Sequence, residues 1–106
     1  MGSPEHAVIV TYTLSGSAFG EPQERDSVRA LEERVTTAVR SAGVGELDGD
    51  EFGAGEVVLY AYGPDAGRLF AVMEADLLAF SARPAHAVLR YGEASDPAAI
   101  EQRIDL

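Results

Sequence analysis

Apolar and polar residues alternate with period two in several short runs along the chain and recur every three to four positions in two longer ones. Residues 7 to 14, AVIVTYTL, are rich in β-branched and aromatic residues. Alternation sets Val8, Val10, Tyr12 and Leu14 on one side and Ile9, Thr11 and Thr13 on the other, which predicts a first strand. Residues 15 to 26, polar and glycine-rich, read as a mobile connection. From about Ser27, the residues Val28, Leu31, Val35, Ala38, Val39 and Ala42 fall at helical spacing, with Asp26 as the expected N-cap and Gly43 just past the end.

The next run, VGELDGDEF, alternates again, and EVVLYAY after it is rich in strand-favouring residues. The intervening Gly-Ala-Gly permits the positive φ angles of a tight turn, so an antiparallel hairpin is expected. A second helix follows. Gly63 can precede it, Pro64 suits its first position and Asp65 favours the positive end of the helix dipole. Ala66, Leu69, Phe70, Met73, Leu77 and Phe80 form its apolar stripe, and Pro84 marks its limit. Residues 86 to 91 predict a fourth strand. In AIEQRIDL, Ile100, Ile104 and Leu106 lie opposite Glu101, Arg103 and Asp105, as in a short fifth strand at an edge.

This order predicts one α+β domain over residues 1–106, with the ferredoxin-like β-α-β-β-α-β arrangement: an antiparallel sheet, both helices on one face, and a short C-terminal strand. The first strand is then expected between the third and fourth, antiparallel to both. A short parallel sheet fits poorly, because residues 46 to 60 read as a hairpin.

Charge narrows the function. Eighteen carboxylates face eight basic residues, all arginine, for a formal net charge of −10. Such a surface repels phosphate backbones, so no nucleic-acid partner is expected. The chain has no cysteine, which removes disulfides and thiolate chemistry. The first residues lack a basic segment followed by an apolar one, and no long apolar run follows, so the expectation is a cytoplasmic protein without membrane association.

No catalytic constellation emerges. His6 precedes the first strand and His86 opens the fourth, which separates them by roughly 17 to 20 Å at about 3.3 Å per strand residue. They cannot share a metal within one chain. G-x-S-x-G and related nucleophile motifs are absent, although His86 could still shuttle protons. A regular pleat puts Glu46, Asp48 and Asp50 on one side of their strand. These carboxylates do not match a calcium loop and are better read as a charged edge that discourages aggregation. The helix start in YGPDAG is unsuited to an anion because Asp65 stands there. No metal or cofactor is expected.

The open face of the sheet carries more chemistry. With Val57, Leu59 and Ala61 turned toward the helices, Val58, Tyr60 and Tyr62 face outward, joined by His86, Val88 and Arg90 and by Thr11 and Thr13. Tyr and Arg are residue types that anchor interfaces. Tyr60, Tyr62, Thr11, Thr13, His86 and Arg90 are therefore the expected binding residues of a non-catalytic module whose partner is a second copy or another protein. The competing expectation is a small-molecule enzyme or ligand-binding protein with a pocket formed in a dimer, where His86 or Tyr62 handles protons.

Residues 46 to 70, ELDGDEFGAGEVVLYAYGPDAGRLF, followed by VLRYG and the closing IDL, resemble a group of small uncharacterised bacterial proteins. Those combine a D-G-x-E turn, an L-Y-x-Y-G-P-D-A joint and an L-R-Y-G strand. The resemblance covers about the last 60 residues, and it implies the element layout without an activity. Glu93 and Ala94 depart from it, since proline is expected near that place. In architecture the chain also looks like dimeric α+β-barrel proteins, some of which are monooxygenases or isomerases. Likeness of fold alone implies no function.

Overall fold

The computed structural model describes residues 5–15 and 20–106. In chain order the elements are β1 (His6–Thr13), α1 (Pro22–Ala42), β2 (Glu46–Gly53), β3 (Glu56–Gly63), α2 (Ala66–Ala79), β4 (Ala85–Tyr91) and β5 (Ile100–Asp105). The fold is α+β: one five-stranded sheet in the order β2-β3-β1-β4-β5, with every neighbouring pair antiparallel. β1 lies between β3 and β4, and β5 forms the outer edge beyond β4.

The alternation read from the sequence matches burial along the central strands. Val8, Val10 and Tyr12, then Val57, Leu59 and Ala61, then Ala85, Ala87 and Leu89 are buried, while the residues between them keep partial exposure. The core lies under α1 and α2, which pack against each other. Val28, Leu31, Val35 and Val39 enter it from α1, and Ala66, Leu69, Phe70, Met73 and Leu77 from α2. Tyr12 is the largest fully buried side chain; its hydroxyl donates to the Leu77 carbonyl at 2.6 Å and its ring meets Phe80 edge-on at 4.8 Å. That carbonyl belongs to the last turn of α2, where no helical N–H reaches it, so the core tyrosine satisfies a group the helix leaves unpaired.

Both helix starts differ from expectation. α1 begins at Pro22, not near Ser27, with Glu21 as N-cap; Glu24 Oε1 accepts from the Glu21 N–H at 3.0 Å and Oε2 from the Ser15 N–H at 2.9 Å. Those bonds hold the Glu24 carboxyl below its usual range, and Pro22 sits where a helix needs no N–H. Residues 22 to 26 of the expected connection are thus helical, and residues 16–19 lie outside the described residues. α2 starts after Pro64, with Asp65 as its N-cap accepting from the Arg68 N–H at 3.2 Å.

The hairpin also differs in one position. Gly53 stays in β2, and the two loop residues are Ala54 and Gly55, with φ of 53° and 78°. Two consecutive positive φ angles match a type I′ turn, whose twist suits a two-residue hairpin. At the other end of β3, Gly63 is buried against the backbone of Val44 and Gly45, and a Cβ there would overlap the Val44 carbonyl oxygen.

Candidate functional site

The strand registers convert the uncovered face into rows. One row runs Glu51, Val58, Thr11, His86, Asp105 across the five strands; the next runs Gly49, Tyr60, Ile9, Val88, Arg103; the third runs Glu46, Tyr62, Ala7, Arg90, Glu101. Directly opposed residues on antiparallel strands lie about 4.5–5.5 Å apart at Cβ, so each row is a line of side-chain neighbours. Tyr60 and Tyr62 are thereby side by side at the centre, next to Ile9, Val58 and Val88. Each of these five is half-buried although no described element covers it. Ala7, between Tyr62 and Arg90 in its row, is wholly buried.

All six expected binding residues lie on this face, in two groups. Tyr60, Tyr62 and Arg90 occupy the second and third rows. Thr11, His86 and Thr13 lie toward the opposite end, where Thr13 pairs with Glu56. Arg90 is tied back to the chain, its Nε donating to the Gly92 carbonyl at 2.8 Å, and it stands opposite Glu101. Its charge is partly spent before any partner arrives.

Around Thr11, Thr13 and His86 the surface dips into an open cleft of about 720 Å³, lined also by Glu56, Arg83, Arg103 and Asp105. Arg103 and Asp105 pair with each other at 3.1 Å. The nearby Arg83 points its guanidinium at the carbonyls of Leu78, Phe80 and Ala82. The cleft mixes hydroxyls, an imidazole and both signs of charge.

The other histidine has a structural task. His6 Nδ1 accepts the Ala66 N–H at 3.1 Å, and its ring meets Tyr91 edge-on at 5.7 Å. It therefore satisfies one of the unpaired donors at the start of α2. Spacing along the sequence gives no sign of this, because the two residues meet only through the β1–β3 register.

The expected alignment of Glu46, Asp48 and Asp50 is overturned. The β2–β3 register shifts between Leu47 and Gly49, so that Leu47 pairs with Ala61 and Gly49 with the next residue, Tyr60. Asp48 is the extra residue of a β-bulge, and past it the side chains change faces relative to a regular pleat. Glu46 falls beside Tyr62 on the open face, whereas Asp50 falls opposite Leu59 on the helix side. There Asp50 meets Glu32 of α1. Partial burial, a hydrogen bond to Asp50 and that residue's charge push the Glu32 carboxyl up to about 8, against a smaller opposing pull from Arg29. Among the described residues, no group of three or more His, Cys, Asp or Glu side chains is placed to hold a metal ion.

The sequence reading puts Glu46 on a charged edge and Glu101, Arg103 and Asp105 on one side of a fifth strand, but it places none of these, nor Glu51, on the rim of the open face. The alternation in IEQRID signals that Glu101, Arg103 and Asp105 share a side, yet only the pairing with β4 shows which side it is. Among the described residues, no helix is long and apolar enough to cross a membrane. Comparison with protein-family models, with curated proteins and with solved structures finds no match to the chain.

Proposed function

We propose that this chain is a small acidic cytoplasmic accessory module, without catalysis of its own, that binds another protein on the open face of a ferredoxin-like domain. The strand order β2-β3-β1-β4 with neighbours antiparallel supports that architecture, as does the likeness of the Y-G-P-D-A joint to small bacterial proteins. The observation that carries the reading is the central cluster of Tyr60 and Tyr62 with Ile9, Val58 and Val88, half-buried and left uncovered by the described elements. Large amphipathic side chains held on rigid strands lose little freedom on binding, which is why such clusters anchor interfaces. The edge strands add Glu46, Glu51, Glu101 and Asp105 against Arg103, so the partner that fits has an apolar centre and a mainly basic rim.

The test is affinity capture from the native cytoplasm with the wild-type chain and with a Tyr60→Ala/Tyr62→Ala double variant whose circular dichroism is unchanged. A stoichiometric protein retained by the wild type and lost by the variant supports the reading. Equal capture by both refutes it.

A second reading rests on the cleft beside Thr11, Thr13 and His86. Its size suits a small molecule, and a dimer of the α+β-barrel type would close it. In that case His86→Ala abolishes ligand-induced thermal stabilisation while leaving protein capture intact.

A further inference from the structure

The two edges of the sheet are chemically unlike. β2 carries four carboxylates and no basic residue over Glu46–Gly53, and the bulge at Asp48 interrupts it. No antiparallel register between two copies of β2 can pair opposite charges. Bulges and like charges are the ordinary means of keeping an edge from pairing.

β5, the other edge, has both signs. The Leu106 N–H donates to the Ala85 carbonyl at 3.0 Å, which fixes the phase of the ladder with β4. Ile104, Gln102 and Ile100 turn their backbone groups inward with Leu106. Glu101, Arg103 and Asp105 turn theirs outward to the free edge, where no described strand pairs with them. A second β5 laid antiparallel about a two-fold axis at Gln102 brings Glu101 opposite Arg103 of the second copy, twice. These are residues with outward backbone groups, so the ladder bonds and the charge pairs form together. The same register sets Ile100 against the second copy's Ile104, covering a side chain that is 71 % exposed.

Neighbouring registers do worse. Centring on Arg103 opposes the two arginines and sets Glu101 against Asp105. Centring on Ile104 pairs Arg103 with Asp105 but shortens the overlap and leaves Ile100 bare.

We propose that two copies of the chain join through β5, antiparallel and two-fold about Gln102, so that their five-stranded sheets become one continuous sheet. The two open faces then run on into each other as a single surface. This self-association does not depend on what binds the centre of that surface: Glu101 and Arg103 belong to both the β5 edge and the rim, whereas Tyr60, Tyr62, Ile9, Val58 and Val88 take no part in the edge pairing.

The chain has no cysteine, so single cysteines report the register directly. At Gln102 the two copies oppose in a non-hydrogen-bonded pair, with Cα atoms about 4.5 Å apart and within disulfide reach. Residues 103 and 104 are offset from their own copies by two and four positions, beyond that reach. Under mild oxidation, Gln102→Cys is expected to give mostly covalent dimer on a non-reducing gel, and Arg103→Cys and Ile104→Cys very little. Preferred cross-linking at 103 or 104, or none at any position, overturns the proposal. In sedimentation equilibrium Arg103→Glu, which sets glutamate against Glu101 at both positions, is expected to weaken association at least tenfold. Tyr60→Ala/Tyr62→Ala is expected to leave association unchanged. Dissociation by the tyrosine pair with none by Arg103→Glu places self-association on the face and refutes edge pairing.

Discussion

Glu32→Gln is expected to stabilise the protein at alkaline pH and to change little near pH 4.5. The β2 bulge delivers Asp50 to the helix side of the sheet, where it meets Glu32, and the Glu32 carboxyl is raised from 4.5 to about 8 by partial burial and by Asp50. Between those two values the unfolded chain has released this proton and the folded chain retains it. Stability therefore falls as pH rises through that window and levels off above about 8. At about 1.4 kcal/mol per pH unit the full shift sets an upper bound of roughly 5 kcal/mol. Glu32 retains contact with water, which screens the greater part, and about 1–2 kcal/mol remains. Glutamine keeps a donor for Asp50 at every pH and cannot ionise. Urea denaturation followed by circular dichroism at pH 5, 6, 7, 8 and 9 should show the variant's advantage growing from near zero to about 1–2 kcal/mol. A constant difference across that range, or one that shrinks with pH, would refute a shared proton between Glu32 and Asp50.

Tyr12→Phe removes the donor that satisfies the Leu77 carbonyl, and an unsatisfied buried carbonyl costs about 1–3 kcal/mol. The urea midpoint should drop accordingly with the slope unchanged, and the change should be independent of pH below 9, because burial pushes the Tyr12 phenol far above that range. Ala54→Asn relieves a non-glycine residue at φ 53° in the hairpin loop and should raise stability by up to about 1 kcal/mol, read as a higher midpoint in a thermal melt.

Much of the layout is legible in the sequence because each central strand has one buried face and one uncovered face. Val57, Leu59 and Ala61 against Val58, Tyr60 and Tyr62 is a period-two pattern that survives folding unchanged. The helices are legible from their stripes, and their starts are not. At α1 the cap is Glu21 with Glu24, and the bonds that identify it run partly to Ser15, across the residues between strand and helix. β2 misleads for a further reason. Its charges alternate as if the pleat were regular, and the one extra residue that changes their faces is fixed by pairing with β3, where Leu59, Ala61 and Val57 must stay under the helices. The His6 bond to Ala66 and the ordering of charges on β5 are likewise products of register, which a single strand does not carry.

β1 emerges first during synthesis, yet it is hydrogen-bonded on one side to β3 and on the other to β4. A chain in which β4 has not yet docked holds the apolar residues 7 to 10 with one flank of β1 unpaired. Closing the sheet requires meetings between residues about 80 positions apart, the kind of contact whose entropic cost slows folding. Residues 7 to 12 are thus open to non-native pairing until those contacts form, and the centre of the sheet closes late in folding.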